Sequence, residues 1–229
     1  MKGTEIMNLF DILGPVMVGP SSSHTAGAVR IGYVARQLLS DVPVRAKIYM
    51  HGSFAETGAG HGTDRALVAG LLGMQPDDMK IPDSFREAEK AGLSFSFENR
   101  TIPDAHPNTA LLEINGASGK HLSIQACSLG GGRILINKMD DIEVNCSGEC
   151  PTLIVHNEDH PGHVAAVTSL LSMEHINIAS MSLYRHKRGG RAVMVLEVDQ
   201  DIPEVSLQQI EHIQGIIKVT YINISHSES

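Results

Sequence analysis

Beyond residue 151 the apolar positions switch between strand-like runs and a helical spacing, and each switch marks a predicted element. TLIVHN (152–157) is a short apolar strand and DHPGH (159–163) a turn. HVAAVTSLLSMEH (163–175) is a helix with Val164, Val167 and Leu171 on one face. INIASMSLYRH (176–186) and RAVMVLEVD (191–199) are strands, and Gly189-Gly190 between them predicts a hairpin turn. EVSLQQIEHI (204–213) sets Leu207, Ile210 and, less regularly, Ile213 at helical spacing, and IIKVTYINI (216–224) closes with a strand. The order βαββαβ is the split-βαβ, ferredoxin-like arrangement.

Upstream of NCSGECPT (145–152), where Gly148 and Pro151 interrupt both patterns, the texture is mixed. A helix is predicted over 25–39, with Ala28, Ile31, Ala35, Leu38 and Leu39 roughly in phase. VRAKIYM (44–50) alternates as a half-buried strand with Val44, Ala46, Ile48 and Met50 on one face. A second helix (64–73) follows a glycine-rich turn, and 93–98, 109–115, 121–127 and 133–137 read as strands. The polar segment 76–92 reads as a surface excursion. The expectation is an α+β fold: a mixed α/β domain over 1–148, of open strand order, then a ferredoxin-like domain over 149–229.

Composition narrows the class. With 42% hydrophobic and 19% charged residues among 229, the chain supports a packed core and argues against disorder. The net charge of −8 argues against non-specific binding to nucleic acid or anionic lipid, and RHKRGGR (185–191) reads as a solvated turn. No membrane partner is expected, because no run of 18 apolar residues occurs. MKGTEIMNLFDILG lacks the order of a secretory signal, and three cysteines do not make a disulfide framework, so a cytoplasmic location is expected.

Four stretches carry candidate chemistry. GPSSSHTAG (19–27) crowds Ser21, Ser22, Ser23, His24 and Thr25 at a predicted helix start. One hydroxyl caps a helix; three beside an imidazole also suit a carboxylate or phosphate at the positive helix end. HGSFAETGAGHGTDRA (51–66) places His51 and His61 beside glycines, while Thr63 stands where a dinucleotide loop needs its last glycine. HPNT (106–109) holds His106 extended before Pro107, with Asn108 before a strand, and SLGGGR (128–133) ends another strand. Cys127, Cys146 and Cys150 read either as iron–sulfur ligands or as inert buried thiols, and His156, His160 and His163 as a zinc site or as a turn and helix start.

In this order, and ahead of a βαββαβ tail, GPSSSHTAG, HGSFAETGAGHGTDRA, HPNT and SLGGGR resemble the β chain of bacterial iron–sulfur-dependent L-serine dehydratase, across nearly all of the chain. The tail is similar to an ACT domain, whose ligand-facing positions fall on Asp159, Pro161, Gly162, His163 and Asn177. The resemblance implies conversion of L-serine to pyruvate and ammonia, with a 4Fe-4S cluster held by cysteines of a separate α chain and no metal ligand in this one. It implies catalytic roles for His24 and His61, and a substrate-carboxylate site at Ser21, Ser22, Ser23 and Thr25. Asp64 and Arg65 would orient His61 or seal a subunit contact, and His106 and Asn108 would be further substrate contacts. ACT modules commonly pair, so self-association is expected too. Which histidine is the base and what the ACT module binds stay open, and the rival reading is a non-catalytic module that senses an amino acid or anion.

Overall fold

The computed structural model describes residues 16–140, 142–147 and 150–223. The N-terminal segment 1–15, Gly148 and the end of the last predicted strand at 224 lie outside these residues. A five-residue π-turn, Ser22–Ala26, runs directly into helix α1 (Gly27–Leu39). Strand β1 (Pro43–Met50), helices α2 (Ser53–His61) and α3 (Thr63–Leu71), helix α4 (Ser84–Ala91) and strand β2 (Ser94–Asn99) follow. Then come β3 (Thr109–Gly116), β4 (His121–Gly130), β5 (Arg133–Met139) and β6 (Ile142–Cys146). They form one six-stranded sheet in the order β2-β1-β3-β4-β5-β6, antiparallel except for the β1–β2 pair.

Helix α1 buries the predicted face in full: Ala28, Ile31, Ala35, Leu38 and Leu39 are all at most 1% exposed. Its close partner is α3, and the approach depends on two glycines. A Cβ on Gly32 would collide with the Leu67 carbonyl, and one on Gly70 with the Val29 carbonyl. Helix-to-helix contact at backbone distance therefore fixes where the N-terminal ends of α1 and α3 lie.

The second sheet comprises β7 (Thr152–Glu158), β8 (Ile178–Arg185), β9 (Arg191–Val198) and β10 (Ile216–Ile222), ordered β10-β7-β9-β8 and antiparallel throughout. Helices α5 (His163–Met173) and α6 (Glu204–Glu211) complete the ferredoxin-like βαββαβ order. Both faces of this sheet are covered, which is why β7 and β9 read as unbroken apolar runs. Leu153, Val155, Met194 and Leu196 pack with Val167, Leu171 and Ile210 of the helices. Ile154, Val193, Val195 and Ile222 join the core of the first sheet. The Lys218 ammonium adds a bond of 2.7 Å to the Leu38 carbonyl across the same contact.

Four expectations are corrected. Val44 is 36% exposed rather than buried, because a register shift between Pro43 and Arg45 turns it outward. Val164 is also 36% exposed; the buried stripe of α5 is His163, Val167 and Leu171, with a histidine at its head. The glycine-rich stretch before α3 is mostly helix, with Phe54 fully buried beneath it. Segment 76–92 contains helix α4, anchored by buried Ser84 and Ala88. Strand β6 was not anticipated at all.

Candidate functional site

The serine-rich turn earns its shape from its own hydroxyls. Ser21 has extended backbone (φ −143°, ψ 123°) and its Oγ accepts from the His24 N–H at 3.1 Å. That caps the π-turn and leaves the imidazole beside two of its hydroxyls. Nδ1 of His24 lies 3.1 Å from Ser23 Oγ and 3.5 Å from Ser21 Oγ, and the two oxygens are 3.3 Å apart. Single π-turns inside helices occur frequently at functional sites, since the extra residue re-aims side chains.

On its other side His24 meets α2. Nε2 lies 3.0 Å from Ser53 Oγ and 3.1 Å from Thr57 Oγ1. Phe54 packs edge-on to the same ring, with centroids 5.3 Å apart. His61 ends α2, and Gly62, with φ 69°, lets the chain turn at once into α3. This brings the His61 ring to 5.1 Å from that of His24, centroid to centroid. Burial, and next the neighbouring His61, hold the His24 imidazole below its ordinary value, opposed by the Ser53 contact. His24 is thus neutral near pH 7 and able to take up a proton.

The other two motifs arrive at the same end of the first sheet, where β1 finishes, β3 begins and β4 finishes. Pro107 packs so closely on Gly52 (φ 54°) that a Cβ there would strike its backbone. The Asn108 carbonyl accepts from Ser128 N–H at 2.9 Å, and Ser128 in turn rests on Gly27, at the base of the serine turn. Arg30 of α1 reaches the Gly132 carbonyl at 3.3 Å. All four sequence motifs therefore converge.

Individual residues divide. Ser21, Ser22, Ser23, His24, His61 and Asn108 are partly exposed around this end, and His106 is exposed, its Nδ1 accepting from Asn108 N–H at 3.1 Å. Thr25 is 2% exposed and donates to the His61 carbonyl at 3.2 Å, so it braces the site from beneath rather than facing a substrate. Asp64 accepts from its neighbour Arg65 N–H at 2.8 Å within α3, and Arg65 stacks over Phe85 of α4 at 4.8 Å. His51 anchors a loop, Nδ1 accepting from Ile102 N–H at 3.1 Å. Ser53 and Thr57 were missed by sequence reasoning; their four-residue spacing carries meaning only once the segment is known to be helical.

The second domain uses its candidate ligand groups internally. Asp159 accepts from Gly189 N–H at 2.9 Å and Arg185 Nη1 at 3.0 Å, which hold its carboxyl below the usual range. The ring nitrogens of buried His163 sit 2.9 Å from the Glu158 carbonyl and 3.0 Å from that of Gln214. Asn177 donates to Asp199 at 2.6 Å. Pro161 and Gly162 are exposed at the turn that begins α5. A cleft of about 670 Å³ lies nearby, lined by Asp140, Glu158, His160, His186, Lys187 and Arg191, and shares no residue with the serine–histidine site.

The thiols do not fit an iron–sulfur cluster. Cys127 is buried in β4, where desolvation pushes its thiol up; Cys146 is buried in β6 and Cys150 is exposed. Among the described residues, no group of three or more His, Cys, Asp or Glu side chains is placed to hold a metal ion. Among them, too, no helix is long and apolar enough to cross a membrane.

Fold and site together define a serine–histidine α/β domain joined to a ferredoxin-like module. Family models agree: "Serine dehydratase beta chain" matches residues 6–94 and "ACT domain" residues 151–213. The chain is 41% identical to the "Probable L-serine dehydratase, beta chain" of Bacillus subtilis, over 94% of this chain and 97% of that one. It is 35% identical to the "L-serine dehydratase, beta chain" of Peptoniphilus asaccharolyticus, over 94% and 97%. A "D-3-phosphoglycerate dehydrogenase" of Methanocaldococcus jannaschii is 36% identical over 86% of this chain but only 37% of its own length. The chain belongs to the family of L-serine dehydratase β chains.

Proposed function

We propose that this chain is the β subunit of a two-chain L-serine dehydratase, working against an α chain that carries a 4Fe-4S cluster. The observation that carries the reading is the meeting of His24 and His61, 5.1 Å apart, with the serine hydroxyls at one exposed end of the first sheet. Such an end can be covered by a second chain.

Dehydrating serine requires removal of the α-proton and departure of hydroxide. When bound, the cluster would supply Lewis acidity toward the leaving oxygen. The rest falls to this chain. The Ser21, Ser22 and Ser23 hydroxyls, at the start of a helix, hold the substrate carboxylate. One of the two imidazoles, His24 or His61, moves the proton, with Asn108 and His106 at the rim. Loss of water leaves an enamine, which becomes an imine and is hydrolysed to pyruvate and ammonia. The outermost strand β8, with Met181 37% and Leu183 47% exposed, is the surface through which two ACT modules pair.

The test is anaerobic co-expression with the α chain, followed by assay of pyruvate release from L-serine. Turnover by the pair, absent from either chain alone, is expected. A well-assembled pair with an intact cluster and no turnover would refute the reading. A sensing role has one point in its favour, the partial likeness to the M. jannaschii dehydrogenase. Under it, changing His24 and His61 would alter only serine dependence, not abolish activity.

A further inference from the structure

The geometry points to Thr57 as a positioning residue that fixes His24 as its Nε2–H tautomer and so turns the Nδ1 lone pair toward the Ser23 hydroxyl. This rests on the reading of the serine–histidine turn as the site and adds to it which nitrogen takes the proton.

The inference follows from counting protons. Thr57 lies one helical turn beyond Ser53, and its hydroxyl donates to the Ser53 carbonyl at 2.8 Å. A hydroxyl has a single proton, so while it sits on that carbonyl, at the shorter distance, Thr57 Oγ1 accepts from His24 Nε2, 3.1 Å away. A hydrogen on Nε2 satisfies that contact. Ser53 Oγ, at 3.0 Å, shares it as a second acceptor.

The opposite tautomer satisfies fewer of these contacts. A bare Nε2 could take a proton from Ser53 Oγ alone, but the Thr57 oxygen 3.1 Å away would then face its lone pair with no hydrogen between them. With Nε2 protonated, Nδ1 is the ring's lone-pair nitrogen, and Ser23 Oγ–H at 3.1 Å is its nearest donor. Ser21 Oγ, farther at 3.5 Å, already accepts from the His24 N–H. A proton drawn through Ser23 to Nδ1 would give an imidazolium held on both sides, by Ser23 at Nδ1 and by Ser53 and Thr57 at Nε2. Burial and the nearby His61 keep the ring neutral beforehand. The arrangement has the logic of a base oriented by a third group, with a hydroxyl in the role of the orienting partner.

The test uses the full chain labelled with ¹⁵N-histidine, at a pH above 7.5, with His24→Gln identifying the His24 signals. Wild type is expected to show His24 Nε2 protonated and Nδ1 bare. Thr57→Val removes the oxygen that favours Nε2–H and leaves Ser53, which can donate or accept, so it should give a mixture of tautomers. Thr57→Ser keeps the acceptor and should restore the single form, and Ser53→Ala should leave it unchanged. In the assembled α–β enzyme, Thr57→Val should lower kcat about tenfold, less than the roughly 10²–10⁴-fold a positioned acid–base group contributes, because Thr57 acts through His24, and Thr57→Ser should recover it. The acid limb of its pH profile should move, with KM nearly constant. Thr57 is exposed, and an unchanged circular dichroism spectrum shows the Val variant folded. A wild-type ring protonated on Nδ1, or a Thr57→Val ring still purely Nε2–H, would overturn the assignment. If the tautomers behave as expected but the assembled pair never turns over serine, the positioning stands and the proposed reaction falls.

Discussion

The serine–histidine turn and the DHPG turn look alike in sequence, each a cluster of small polar residues and histidines ahead of a helix, yet the fold treats them in opposite ways. In the first, His24 bonds to hydroxyls of Ser23, Ser53 and Thr57, a type of group able both to donate and to accept. In the second, His163 faces two backbone carbonyls and Asp159 faces a guanidinium and an amide, groups with fixed roles. Exchangeable partners keep an imidazole able to do chemistry, whereas obligatory ones make it part of the frame. Polar density in a sequence therefore says less than the identity of what each polar atom meets.

The largest separation should appear with His61→Ala. Turnover of the assembled enzyme should fall roughly 10²–10⁴-fold, the range for losing a positioned acid–base group, with the melting transition almost unmoved. Near-normal turnover would remove His61 from the mechanism. His163→Ala should do the reverse. Stranding the Gln214 carbonyl should cost about 2 kcal/mol in chemical denaturation, while turnover per folded molecule holds. If His163→Ala instead abolished activity at full stability, the contrast between the two turns would collapse.

Acid should act on the second region through a third histidine. Burial, followed by Lys218 and Arg191 and against Asp140, pushes His156 down to about 4. The folded state then binds fewer protons than the unfolded chain between that value and the ordinary ~6.5. Its stability contribution is present above the unfolded value and is lost as pH falls toward the folded one. Urea titrations at pH 7.5 and 5 should differ by about 2 kcal/mol more for wild type than for His156→Gln. Equal slopes would show the ring to be solvated. The smallest effect belongs to Ser21→Ala, which removes the cap of the π-turn and should cost about 1 kcal/mol. Its KM for serine should rise as well, which a pure cap would not cause.

The sequence made the framework and half of the site legible, for identifiable reasons. Helix α1 announced itself because every position on its inner face is apolar, and β7 and β9 because both of their faces are covered. Helix α2 stayed hidden behind Gly58 and Gly60, since glycine costs roughly 1 kcal/mol per helical position. Burial of Phe54 and the close fit of Gly58 against Thr63 accompany the helix that propensity disfavours. His24 and His61 could be named from their motifs, but Ser53 and Thr57 could not, because they act only as one face of that hidden helix. Val164 misled because its neighbour His163, a polar residue, takes the inward place.

The single apolar mass that runs from Ile136 and Val144 into Ile154, Val193, Val195 and Ile222 has a consequence for anyone dissecting this polypeptide. Severing it at the junction would leave a greasy wall wet on each fragment. Neither piece would then behave as a tidy, free-standing unit, and both would be driven to clump.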